Sequence, residues 1–142
     1  MNIDKFKHQH GDIMRSVTDL KVLVRAGIER NADDIARLII TISSTIKLHL
    51  AGEDKFLYPA MQASGNPELT RMGRHYQDEM GDIANAYLAF SREWNNGAKI
   101  RSNPEQFRSH ANRVFRSLHE RIQRENVEFY PAIEMHHGAM AA

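Results

Sequence analysis

The sequence contains no cysteine, which excludes disulfides, thiolate metal sites, iron–sulfur clusters and cysteine nucleophiles together. Such a composition suits a reducing compartment. An excess of one charge sign is also missing. Lys and Arg number 19 against 18 Asp and Glu, a formal net charge of +1, too balanced to point to a nucleic-acid backbone or an anionic membrane as partner. The opening Met1-Asn2-Ile3-Asp4-Lys5-Phe6-Lys7 lacks the apolar run of a secretory signal, and no stretch approaches ~20 uninterrupted apolar residues. A cytoplasmic protein, binding neither nucleic acid nor membrane, is the expectation. Proline occurs four times in 142 residues, whereas histidine occurs eight times, several of them inside apolar periodic segments.

Those segments have helical spacing. Ile3, Phe6, Ile13, Val17, Leu20, Val24 and Gly27 recur at three and four, with His10 filling the gap in the series. Asn31-Ala32-Asp33-Asp34 provides a cap-like Asn with acids in the first turn, so a second helix begins near Ala32. Its stripe runs Ile35, Leu38, Ile39, Ile42, Ile46, His49, Glu53, Phe56, Ala60, and Pro59 bends or ends it. Asn66-Pro67 opens a third helix carrying Leu69, Met72, Tyr76, Ile83, Tyr87, Phe90 and Trp94, closed by Asn95-Asn96-Gly97. Asn103-Pro104 repeats the device for a fourth, with Phe107, Ala111, Val114, Leu118, Ile122, Glu125 and Phe129, interrupted by Pro131. No strand pattern and no long linker intervene. The pattern predicts an all-α, up-down-up-down antiparallel four-helix bundle over residues 1–135, with a short tail at 136–142. Glu53-Asp54-Lys55-Phe56-Leu57-Tyr58-Pro59-Ala60 resembles Glu125-Asn126-Val127-Glu128-Phe129-Tyr130-Pro131-Ala132, a weak repeat 72 residues apart, as expected if each half is one helical hairpin.

Three of these stripes carry a carboxylate: Glu53, Glu79 and Glu125. Burying an ionised carboxylate without a partner costs several kcal/mol, and a metal ion supplies the compensation. His49 and Glu53 stand four apart on one helix face, as do His75 and Glu79. His10 occupies a core position, and His119 flanks the fourth stripe ahead of Glu125. A lone core histidine is more often a hydrogen-bonded structural residue than a ligand, but four stripes each bearing a ligand-type residue favour a metal site. The candidate ligands are His10, His49, Glu53, His75, Glu79, His119 and Glu125. Arg121, four residues before Glu125, is a rival partner for that carboxylate. Otherwise Arg108, Arg113, Arg116, Arg121 and Arg124 read as a solvated face, and His8, His136 and His137 as exposed. Imidazole and carboxylate without sulfur suit iron, manganese or zinc, and seven donors exceed the four of a structural zinc site. Ile46, Met72 and Arg116 stand three before His49, His75 and His119, so the Glu-x-x-His pairs of ferritin-like bundles are absent.

These motifs resemble the hemerythrin-like (HHE) family. His49-Leu50-Ala51-Gly52-Glu53-Asp54-Lys55-Phe56-Leu57-Tyr58-Pro59-Ala60-Met61 is similar to that family's second-helix His-x-x-x-Glu signature with its following aromatic and Pro. His10-Gly11-Asp12-Ile13-Met14 resembles the first-helix motif, His75-Tyr76-Gln77-Asp78-Glu79-Met80 takes the place of the third, and Arg124-Glu125-Asn126-Val127-Glu128-Phe129-Tyr130-Pro131 resembles the end of the fourth. Two departures stand out. Glu79 occupies a position where the family's oxygen carriers show a second His. His119 and Glu125 are six apart, about 120° around a regular helix, and position 121, where the second helix leads one to expect His, is Arg. A one-residue π-bulge between Leu118 and Glu125 would bring the pair together; regular bonding through Arg121 and Ile122 would leave His119 outside the ligand shell.

The resemblance implies two non-heme iron ions, oxo- or hydroxo-bridged, with His10, His49, His75 and His119 as terminal imidazoles, Glu53 and Glu125 bridging, and Glu79 in the remaining position. Dioxygen, another small diatomic or peroxide is the implied ligand. An added carboxylate favours the ferric state, which suits sensing or scavenging better than bulk oxygen carriage. Tyr58, Tyr76 and Tyr130 lie within a turn or two of the ligands. A di-iron binding or sensing protein, a di-iron enzyme of weak peroxidase or oxidase type, and a metal-free or zinc-containing bundle acting on a protein partner are the three classes the sequence leaves open.

Overall fold

Asparagine and proline set the helix boundaries. The Asn66 side chain accepts from the backbone N–H groups of Glu68 and Leu69, at 3.0 and 3.3 Å, and Pro67 sits where no donor is needed. In a computed structural model that describes residues 3–141, with side chains through His136, five helices follow one another and no strand occurs among the described residues. They are α1 (Asp4–Ala26), α2 (Ala32–Gln62), α3 (Pro67–Trp94), α4 (Gly97–Ser102) and α5 (104–141). Helix α1 packs on α2, α3 on α5, and α2 on α3, while α1 also meets α5, so the four long helices enclose one interior. The last helix runs on through Ala141, across the segment expected to form a tail.

The caps differ in detail from the sequence expectation. The Asn31 side chain accepts no bond from the second helix; its Nδ2 donates backward to the carbonyls of Leu23 and Gly27, finishing α1. Asn103 likewise donates to Lys99 O instead of capping α5. Asn96, read as part of a closing corner, starts the short α4 by accepting from the N–H groups of Ala98 and Lys99. Through α4 the connection contributes Ile100, fully buried, to the core.

Both long apolar helices widen in the same place. Helix α2 is α-helical over Ala32–Gly52, π-helical over Glu53–Leu57 and α-helical again over Tyr58–Gln62. Helix α5 repeats this, with α geometry over Pro104–Arg124, a π turn at Glu125–Phe129 and α geometry from Tyr130. The signature bonds run from Tyr58 N–H to Glu53 O and from Tyr130 N–H to Glu125 O, five residues back. Pro59 and Pro131 follow directly. Lacking an N–H, each leaves the preceding turn free of one α bond, so the helix widens there and continues instead of ending. The phase of α2 shifts accordingly: Phe56, expected on the buried stripe, is 60% exposed, while Leu57, Tyr58 and Met61 turn inward.

Two apolar clusters result. The larger joins Ile13, Ile35, Ile39, Ile42, Tyr87, Phe90, Trp94 and Phe107 along the body of the bundle. The smaller gathers Phe6, Leu57, Tyr58, Met61, Tyr76, Phe129 and Tyr130 beyond the two π turns. Helix α2 has the length and mean hydropathy (1.2) of a membrane-crossing segment, yet its isoleucines 35, 39, 42 and 46 are fully buried in the bundle and its face carries His49 and Glu53.

Candidate metal centre

Between the two clusters lies a layer of polar residues from three helices. His10 on α1, His49 and Glu53 on α2, and Glu125 on α5 are each 2% exposed or less. Helical spacing accounts for their meeting: His49 and Glu53 stack one turn apart, with Nε2 to Oε1 3.2 Å. His10 Nε2 lies 3.1 Å from His49 Nε2 and 3.9 Å from Glu125 Oε1. One donor atom from each of His10, His49 and Glu125 falls within 4.8 Å of the others, a grouping able to hold a metal ion.

The imidazoles are held from behind. His10 Nδ1 donates to Asn126 Oδ1 at 2.9 Å, and His49 Nδ1 donates to Gln9 Oε1 at 2.8 Å. With the ring protons so placed, both Nε2 lone pairs face inward toward each other, an arrangement that a cation between them relieves. The Tyr130 ring stacks on His10, centroids 5.1 Å apart, and its hydroxyl donates to Glu53 Oε2 at 3.0 Å. Phe6 closes the other side of His49 edge-on.

Charge is poorly compensated in this layer. Among the described residues, Glu53 Oε1 and both carboxylate oxygens of Glu125 are buried without a hydrogen-bond partner. Burial first, and Glu53 second, push the Glu125 carboxyl well above the usual carboxylate range, with Arg121 opposing. Burial, then the neighbouring His49, lowers His10 to about 4, so that it is a neutral ligand-type imidazole at neutral pH. Tyr58 and Tyr130 are driven far up by burial and then by Glu53, and both stay protonated. Two imidazoles and two underpartnered carboxylates with oriented outer partners are a donor set for a hard or borderline cation.

Of the seven sequence candidates, the structure brings together His10, His49, Glu53 and Glu125. The other three lie elsewhere. His75 is 58% exposed and meets Glu79 Oε1 at 3.0 Å on the surface of α3. Glu79, 37% exposed, accepts from Arg121 and is also approached by Arg124. Desolvation works against the charge of Glu79, but Arg121, then His75, hold its carboxyl below the usual range. His119 is exposed and lines a surface cleft between α1 and α5 with Leu20, Arg25 and Arg116. The helix between Leu118 and Glu125 is regular, the Glu125 N–H bonding to Arg121 O and Ile122 O, so the π turn comes after Glu125 and does not swing His119 inward.

Two partners escaped the sequence reading, and a third was only partly placed. Gln9 and Asn126 stand next to His10 and Glu125 in the chain, and that adjacency was the available signal. Arg121, read both as a rival partner of Glu125 and as part of a solvated face, is 1% exposed. Its Nη2 donates to Tyr76 O at 2.8 Å, and its guanidinium carbon lies 4.2 Å from the Tyr76 ring centroid. The signal for it was the repeat, which sets Arg121 opposite His49.

Compared with known proteins, residues 1–133 match a family model described as "Hemerythrin HHE cation binding domain". No curated protein and no solved structure matched.

Proposed function

The chain belongs to the hemerythrin HHE cation-binding family, and on that premise we propose that it binds non-heme iron at His10, His49, Glu53 and Glu125 and exposes it to dioxygen or peroxide, as a sensor or scavenger. The family pattern implies two bridged ions, and the second half of this chain bears on that number. What carries the reading is the pair of buried carboxylates, Glu53 with one oxygen and Glu125 with both oxygens lacking hydrogen-bond partners among the described residues, facing two imidazoles whose Nδ1 protons are already committed. Bound iron supplies a redox couple and a coordination position for a small oxygen species.

The chain's own residues do the rest. Gln9 and Asn126 fix the imidazole tautomers, and Tyr130 holds Glu53 through its hydroxyl. Leu57, Ile46 and Phe129, all fully buried, keep water from the layer. The Tyr58 hydroxyl is buried, protonated and without a partner among the described residues, close enough to feel the charges of Glu53 and Glu125. It is the donor placed to hydrogen-bond a small anionic ligand in this layer.

Metal analysis of untagged protein, with its ultraviolet–visible spectrum in air and after anaerobic reduction, tests the reading. Stoichiometric iron with a near-ultraviolet band that bleaches on reduction is expected. Protein that takes up no iron when supplied with it anaerobically refutes the proposal.

A further inference from the structure

The two halves of the chain build the same layer with different residues. His49, Glu53 and Tyr58 of α2 correspond, 72 residues on, to Arg121, Glu125 and Tyr130 of α5. Helix α1 maps onto α3 with an offset of 70, setting Phe6 opposite Tyr76, Gln9 opposite Glu79 and His10 opposite Met80. The contacts follow this mapping. In the first half Gln9 bonds the His49 ring and Phe6 packs on it edge-on. In the second half Glu79 pairs with Arg121, and Tyr76 packs on its guanidinium. Both π turns begin at the corresponding glutamates.

Each imidazole of the first half is therefore replaced in the second. Met80, 1% exposed, stands for His10, and Arg121 stands for His49. The outer partner changes in step: an acceptor amide suits an imidazole N–H, whereas a guanidinium takes a carboxylate. From this geometry we infer that the centre holds one metal ion, in the first half, and that the Arg121 guanidinium is the fixed positive charge in the place of a second.

Charge supports the count. The buried charges Glu53 and Glu125 against Arg121 leave a formal charge of −1. One divalent ion takes it to +1; a second would take it to +3 beside a buried guanidinium, with like-charge repulsion in a low-dielectric layer. Donors agree: two imidazoles and two carboxylates complete four positions around one ion, and two ions would have to divide them. Glu125 then serves the single ion, with Arg121 one turn earlier on the same helix.

The inference rests on the metal reading proposed above, and one titration separates the two. Ferrous iron is titrated anaerobically into metal-stripped, untagged full-length protein, with stoichiometry read by calorimetry and by elemental analysis after gel filtration. About one ion per chain is expected. About two ions would overturn this inference and leave the metal reading intact, whereas no binding would overturn both. The variant Glu79→Gln, Met80→His, Arg121→His copies the first half into the second and is expected to bind about two ions. A folded variant that still binds one would refute the assignment of these residues as the block. Should the variant fail to fold, the wild-type stoichiometry alone decides.

Discussion

Replacing Glu125 by Gln ought to move stability in opposite directions with and without metal. Glu125 is fully buried, its oxygens lack partners among the described residues, and its nearest charged neighbour of like sign is Glu53. Without metal the wild type bears the cost of that arrangement. Gln has the same shape, carries no charge, and offers an amide N–H to the Glu53 carboxylate. Relief of a buried unsatisfied group is worth about 1–3 kcal/mol, and at roughly 3 °C per kcal/mol for a chain of this size metal-free Glu125→Gln should melt about 3–9 °C higher than metal-free wild type. With metal the order reverses. At 100 times the dissociation constant a ligand adds about 2.7 kcal/mol, or roughly 8 °C. A variant binding about 100-fold more weakly gains only about 0.4 kcal/mol at the same concentration. Thermal melts by circular dichroism with chelator and with anaerobic ferrous iron measure both. A variant that is less stable without metal, and gains as much from iron as the wild type, would refute the view of Glu125 as an uncompensated ligand.

The donor layer also predicts which histidines matter: His49→Ala should abolish stoichiometric iron by elemental analysis, while His75→Ala and His119→Ala should retain it, since both lie outside the layer. Glu79 is held below the usual carboxylate range, so its pair with Arg121 stabilises the fold above the unfolded-state value and loses that contribution as pH falls through the folded-state value. Urea unfolding should accordingly show Glu79→Gln weaker than wild type by about 0.5–1 kcal/mol at pH 7, a small figure because the group is partly exposed, with the gap closing in acid; a gap that persists below the carboxylate range would contradict the pairing. Ile39→Ala, at a fully buried position in the larger cluster, should cost about 2–5 kcal/mol and lower the melting temperature without changing iron stoichiometry.

Much of this was legible in the chain because the physics involved is local. Apolar spacing and Asn-Pro starts reveal the long helices, and His10, His49, Glu53 and Glu125 stand out as polar residues on apolar stripes. What depended on contacts across the bundle was not legible. Arg121 suggests a partner for Glu125 or a solvated face, and its place inside the bundle follows only when Tyr76 and Glu79, more than forty residues earlier, are brought beside it. His75 and Glu79 have the spacing of a ligand pair, but that spacing fixes only their common face, and the face proves to be a surface one. A π turn was expected, if anywhere, between Leu118 and Glu125; the one in α5 lies after Glu125, where the missing N–H of Pro131 acts, and its counterpart before Pro59 had no sequence expectation.

Each widened turn also sets the angular phase of all that follows it. One residue added to a helix rotates the downstream face by about 100°, so beyond Glu53 and Glu125 the two helices present residues that regular winding would have turned to solvent. The tyrosines under the layer, Tyr58 and Tyr130, face it by virtue of that offset. Chain length between glutamate and tyrosine is thus a structural variable in its own right: losing one residue from either turn would keep every side chain of the centre and misdirect the hydroxyl beneath it.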